Sequence, residues 1–244
     1  MQTDHASPRI ERNNSRCSLM VYDLGFSEDY KEIWDFQKRL VELRNQNQTC
    51  DSLIMVEHSH VLTLGRNGHR ENVLTEDLPL FEIERGGDIT YHGPGQLVVY
   101  PIISLQDFSI GVKQYVVLLE QVLVDTLLHF GISSEGKLGQ QTGVWVDGLR
   151  KIASIGVATS HWTTYHGFAL NVNTDLSYFQ RIRPCGFESS VMTSISKELG
   201  RPVPMNEVKE KIVSSFSQTF EADLVQNGVN RNNFKTLDST ITTP

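Results

Sequence analysis

A chain of 244 residues, 39% hydrophobic and 21% charged, has ordinary globular composition and enough length to bury a sizeable core. Its net charge of −7, from 22 Lys+Arg against 29 Asp+Glu, lacks the electrostatic footprint of a nucleic-acid binder. A local basic patch for an acidic protein partner stays open, since Arg150, Lys151, Arg181 and Arg183 could make one if the fold gathers them. The three cysteines, Cys17, Cys50 and Cys185, form neither a paired set nor a Cys-x-x-Cys spacing, which argues against a disulfide scaffold and for a reducing, cytoplasmic setting. No apolar run has the length of a membrane span, and the N-terminal residues lack the apolar core of an export signal.

In chain order, residues 1–18 are polar and aperiodic and read as a flexible tail. Residues 19–222 read as a single domain, and 223–244, rich in Asn, Thr and Ser, as a second flexible tail. The apolar residues 19–22 predict a strand. Ser27 is then expected to cap a helix whose Ile33, Trp34, Leu40 and Val41 recur on one face. Residues 52–57 (SLIMVE), 80–84 and 96–103 (QLVVYPII) predict buried strands, the last two separated by glycine-rich turns. Val112, Val116, Leu119, Leu123, Leu127 and Phe130 keep helical spacing up to Gly131, which supplies the stop. Residues 143–146 and 149–158 flank Asp147-Gly148 and predict a hairpin, followed by a strand at 168–172 and a closing helix over 205–220. Strands and helices mix without regular βαβ alternation, so an α/β (α+β) fold is expected, a mixed sheet with helices on one side.

The densest unusual segment is residues 85–96 (RGGDITYHGPGQ), with four glycines between two predicted strands. Glycine lets backbone approach a ligand closely, so the amides here could hold a carbonyl oxygen; the plainer reading is a pair of hairpin turns. Cys185 stands between a proline and a glycine in 183–186 (RPCG), where a loop thiol can reach substrate, although most free cysteines are simply small buried hydrophobes. Lys151 begins an apolar strand, and strict alternation puts it on one face with Ala153 and Ile155 and apart from Ile152, Ser154 and Gly156. It either points inward or snorkels to water from the strand's open end. If Lys151 and Cys185 meet, the ammonium lowers the thiol pKa and raises the thiolate fraction. His92 and His166 adjoin backbone able to line a pocket. His58 and His60 share a strand face, but no third ligand has convincing spacing, and no metal site is expected.

Together, residues 85–96, 151–156 (KIASIG), 166–171 (HGFALN) and 183–186 resemble the lipoyl(octanoyl) transferase family, over about residues 19 to 220. Residues 57–58 and 62–66 (LTLGR) look like that family's early strand and turn, with His58-Ser59-His60 where proline is common. The resemblance implies the fold of the biotin and lipoate protein ligases. It makes Cys185 the nucleophile that becomes acylated and Lys151 the partner that lowers its pKa and later handles the acceptor's proton. It assigns substrate binding to Arg85, Gly86, Gly87, Asp88, Ile89, Thr90, Tyr91 and His92, to Ser154, Ile155 and Gly156, and to Gly167, Phe168 and Ala169. The implied donor is octanoyl-acyl carrier protein. The implied acceptors are lipoyl domains of 2-oxoacid dehydrogenases and the glycine-cleavage carrier protein, with no cofactor and no ATP. Other readings remain: an ATP-dependent lipoate ligase on the same fold, a non-catalytic acyl-chain or carrier-protein binding module, and a cysteine hydrolase with His92 or His166 as base.

Overall fold

The computed structural model describes residues 18–27, 29–183, 189–225 and 229–230. The first strand, β1 (Ser18–Ser27), extends past the predicted 19–22 because Ser27 pairs with His58 at the end of β2 (Ser52–His58). Ser27 therefore closes the strand instead of capping the helix. That role falls to Asp29, whose carboxylate accepts from the amides of Lys31 and Glu32 at the start of α1 (Tyr30–Asn45).

Next in order come β3 (Val61–Leu64), β4 (Leu80–Glu82), β5 (Ile89–His92) and β6 (Gln96–Ile102). Then follow α2 (Val112–His129), β7 (Ser134–Lys137), β8 (Gly143–Val146), β9 (Arg150–Ser160) and β10 (Thr163–Asn171). The described chain ends with α3 (Ile195–Leu199), α4 (Met205–Thr219), β11 (Asp223–Leu224) and β12 (Val229–Asn230). The main sheet runs β11-β1-β2-β6-β10-β9-β8-β7, with β12 also pairing β1, so two short strands lie within the segment read as a C-terminal tail. Strands β1 and β2 are parallel and the ladders from β2 to β7 antiparallel, which makes the sheet mixed as expected. Asp147 and Gly148 both have positive φ, +50° and +69°, in a turn closed by the Leu149 amide donating to Val146 O; because Val146 pairs with Arg150, the connection is three residues long, one more than the predicted two-residue hairpin.

Helices cover both faces, a correction to the one-sided expectation. On one face α2 and α4 bury Leu119, Leu123, Ile212 and Phe216 against Leu53, Leu97, Val99 and Ile152. On the other, α1 places Ile33, Phe36, Leu40 and Val41 over Ile54, Val98 and Tyr100. A second sheet, β4-β3-β5, is also present. Its strand β5 falls inside the glycine-rich stretch for which a pair of hairpin turns is one of the two readings, because residues 89–92 find a partner in β3. β4 is shorter than the predicted 80–84 and half exposed, as suits an edge strand.

Candidate active site

Between the α1 face of the main sheet and the β5 segment lies a cavity of about 870 Å³. Its floor follows from register. Ser154 pairs with Ala169 and Ala169 with Val98, giving one row across β9, β10 and β6; Gly156 opposite Gly167 makes the next. Four small residues in adjacent rows leave the sheet surface low enough for a ligand to lie on it. Gly167 admits no larger residue, since a Cβ there would stand 2.2 Å from the Val99 carbonyl oxygen.

Strict alternation misplaced Lys151, and a β-bulge is the reason. Gly143 pairs with Ser154 and Val144 with Ala153, but Trp145 pairs with Lys151, so Ile152 is the extra residue. The slip brings Lys151 onto the face of Ser154 and Gly156, while Ile152, Ala153 and Ile155 join the core under α2. Lys151 is 5% exposed, which discards the snorkelling alternative. Its stem lies over Gly143, where an added Cβ would come 2.8 Å from Lys151 Cε, and its Nζ stands 5.5 Å from the Trp145 ring centroid.

The glycine segment docks beside this floor. β8 pairs with β9 only as far as Ser154, and beyond it the Val157 carbonyl accepts from the Gly86 amide at 2.9 Å. That amide is thereby committed to structure and is not an oxyanion donor. Gly156 permits the approach, because a Cβ there would meet Arg85 Cδ at 2.9 Å and the Gly86 oxygen at 3.0 Å. Arg85 is buried, with Nη2 donating to Thr63 O at 2.6 Å and Thr63 Oγ1 at 2.9 Å, so it braces the segment against β3. Asp88 accepts from the His69 amide and from Asn72 Nδ2, fixing the rim.

Of the residues expected to bind substrate, Arg85, Gly86, Gly87, Asp88, Ile89, Thr90, His92, Ser154, Ile155, Gly156, Gly167, Phe168 and Ala169 all line the cavity, as does Lys151. Tyr91 does not. Its ring packs on Phe179 and Tyr178 and its hydroxyl meets His60 Nδ1 at 2.8 Å, on the far side of β5. Cys185 lies outside the described residues, as does Cys17. The described residues flanking Cys185 are held at the cavity: the Arg183 amide donates to Asn72 O, Met192 bridges Lys151, and the Thr193 amide donates to Lys151 O. Asn72, Val191 and Met192 belong to the wall. The suggested basic patch does not assemble as such: Arg150 pairs with Asp147 and Glu198, Arg181 with Asp77, and Lys151 is buried.

Sequence reasoning missed Tyr30, Val98 and Tyr100, which complete the wall. Alternation in QLVVYPI set Val98 and Tyr100 on one face, but nothing local marked that face as the site. Around them lie three buried histidines. His58 Nε2 meets Tyr100 Oη at 2.8 Å, and His92 Nδ1 meets Gln96 Oε1 at 2.8 Å. His58 and His60 thus serve separate clusters, and no group of three or more metal-ligating side chains occurs among the described residues. His166 has φ +56°, which turns its ring beside Tyr165 and Tyr100, with Nε2 3.5 Å from Glu84. Burial lowers all three imidazole pKa values, that of His92 to about 4. At 3.5 Å the Glu84 contact opposes the shift at His166 without cancelling it.

A neutral buried histidine has a definite signature. From the ordinary value of 6.5, a folded pKa of about 4 means that protonation favours the unfolded chain, so stability is full above pH 6.5 and falls as pH drops towards 4. The slope from His92 is about 1.4 kcal/mol per pH unit, roughly 3 kcal/mol in all. Urea midpoints are expected to fall between pH 7 and 4.5, and less steeply in His92→Gln. Identical slopes in both proteins would remove His92 as a buried neutral group.

Residues 29–217 match the family model described as the lipoyl protein ligase A/B catalytic domain. The octanoyltransferase of Solibacter usitatus is 48% identical over 204 residues, covering 81% of this chain and 91% of that protein. That of Bacteroides thetaiotaomicron is 48% identical over 199 residues, 75% of this chain and 87% of the other. Among solved structures, lipoate-protein ligase A bound with ATP superposes with a TM-score of 0.70 at 16% identity, covering 93% and 94% of the two chains. A bi-partite lipoate protein ligase from Thermoplasma acidophilum gives 0.69 at 16% identity, covering 92% of each. At that identity the structural likeness speaks for the fold, the mixed helix-backed sheet of the lipoate protein ligases.

Proposed function

The chain belongs to the octanoyltransferases of the lipoyl protein ligase A/B family, and from that premise we propose that it moves octanoyl from acyl carrier protein to a lipoyl-domain lysine through a thioester on Cys185. The observation that carries the reading is a buried lysine at one end of a low-floored cavity. In this reading Lys151 acts on the Cys185 thiol, and the floor of Ser154, Gly156, Gly167 and Ala169 leaves room for an acyl chain.

In the first step the Cys185 thiolate attacks the donor carbonyl. The tetrahedral adduct collapses, the new thioester forms, and the phosphopantetheine sulfur leaves as thiolate and takes up the proton that Cys185 had given to the site. In the second, the acceptor amine attacks that thioester, the amide forms, Cys185 leaves as thiolate, and a proton from the amine is taken up at the site. An ordinary thiol of pKa near 8.5 is only a few per cent ionised at neutral pH, so a cationic neighbour matters most in the first step. Thioester exchanges for thioester at little cost and amide formation runs downhill, so the route uses no ATP. The acceptors are lipoyl domains of 2-oxoacid dehydrogenases and the glycine-cleavage carrier protein. The catalytic domain is residues 19–222, and the setting is the cytoplasm. Among the described residues no helix is long and apolar enough to cross a membrane.

An ATP-dependent ligase shares the fold, so architecture does not divide the two readings; relatives 42% to 48% identical bear the name octanoyltransferase. Intact-protein mass after mixing with octanoyl-acyl carrier protein tests the proposal. One added octanoyl group, discharged by an apo lipoyl domain, is expected. Activity with free lipoate and ATP, and no adduct, would favour the ligase.

A further inference from the structure

We propose that the Tyr100 ring, backed by Tyr30, closes the inner end of the cavity and sets the length of acyl chain transferred. The inference rests on the octanoyl-transfer reading and assigns a specificity-determining residue to it. Going inward from Lys151, the floor offers Ser154, then Ala169 in the same row, then Val98, and Tyr100 two residues further along β6. Tyr100 is the ring that follows Val98 on the same face of β6, and it lines the same cavity.

The ring is held in place. Tyr100 is 3% exposed, and its hydroxyl meets His58 Nε2 at 2.8 Å. Tyr30, 4% exposed, lies 5.0 Å from His58 and stacks on His92 at 6.2 Å between centroids. A wall fixed by a hydrogen bond and by packed rings does not yield cheaply to a longer chain.

The dimensions agree. Ser154 and Tyr100 are two strand spacings and two residues apart, about 12 Å over the sheet. An extended octanoyl group is about 9 Å from carbonyl carbon to methyl, and a dodecanoyl group about 14 Å. With the carbonyl carbon over Ser154, the shorter chain ends before the ring and the longer one runs into it. Below that limit each buried methylene changes binding by only about four-fold, so the sharp boundary lies on the long side.

Two variants move this boundary in opposite directions. Wild type, Tyr100→Ala and Ala169→Leu are each mixed with acyl carrier protein loaded with hexanoyl, octanoyl, decanoyl or dodecanoyl groups, and acyl-enzyme formation is followed by intact mass. Tyr100→Ala is expected to raise the dodecanoyl-to-octanoyl rate ratio by on the order of ten-fold or more. Ala169→Leu fills the floor midway and is expected to shift preference towards hexanoyl. A purely structural role for Tyr100 lowers all chains together and leaves the ratios unchanged. Unchanged ratios in a folded Tyr100→Ala, or in Ala169→Leu if the tyrosine variant does not fold, would overturn the ruler while leaving octanoyl transfer intact. Absence of acylation from any donor in wild type would overturn the transfer reading and the ruler with it.

Discussion

Replacing Cys185 by alanine is expected to abolish the acyl-enzyme and to slow octanoylation of a lipoyl domain by on the order of 10³-fold or more. Without the thiolate, the acceptor amine would have to attack the donor thioester directly. That requires two carrier proteins to reach one cavity at the same moment. The proposed covalent route separates the two encounters, with a thioester intermediate that would keep the acyl group activated between them. What survives in the variant is whatever the cavity supplies by holding the donor acyl chain and excluding water. Mass spectrometry of the enzyme and the rate of lipoyl-domain octanoylation check the two halves separately. Undiminished transfer in Cys185→Ala would make direct aminolysis the mechanism and leave Cys185 a bystander.

The second large effect is expected at Lys151. Lys151→Arg keeps a positive charge at this position but cannot release a proton at working pH, so the step that consumes the acceptor amine should fall by about 10²- to 10⁴-fold. Thiol acylation should suffer less, because it draws mainly on the charge. The geometry adds a penalty, since Lys151 is 5% exposed and its stem fills the space above Gly143, leaving little room for a guanidinium. Rapid-quench measurement of acylation and discharge separates the contributions. Equal losses in both steps would point to misplaced packing, and full activity in both would leave Lys151 an electrostatic neighbour with no proton to move.

Local patterns carried much of this molecule. Apolar periodicity over residues 112–130 and the left-handed stop at Gly131 gave α2, and Asp147-Gly148 gave the β8–β9 hairpin. Failures came where partners are distant in sequence. Residues 89–92 look like turn material until β3 supplies a ladder, and Ser27 looks like a cap until His58 pairs with it. At the site, thirteen of the fourteen residues expected to bind substrate line the cavity, and Tyr91 is the one that does not.

The sequence by itself determined the family, the order of motifs and the chemistry of the residues in them, because residue type and short-range spacing are properties of the chain alone. Tertiary structure decided what those residues face. An extra residue at Ile152 reversed the phase of a strand and turned Lys151 into the cavity. Burial made His92 a neutral base-side group with a pKa of about 4. Pairing of Ala169 with Val98 put Tyr100 at the end of the floor. Each depends on strands brought together across tens of residues, where register, desolvation and cavity depth are set by packing that no local pattern encodes.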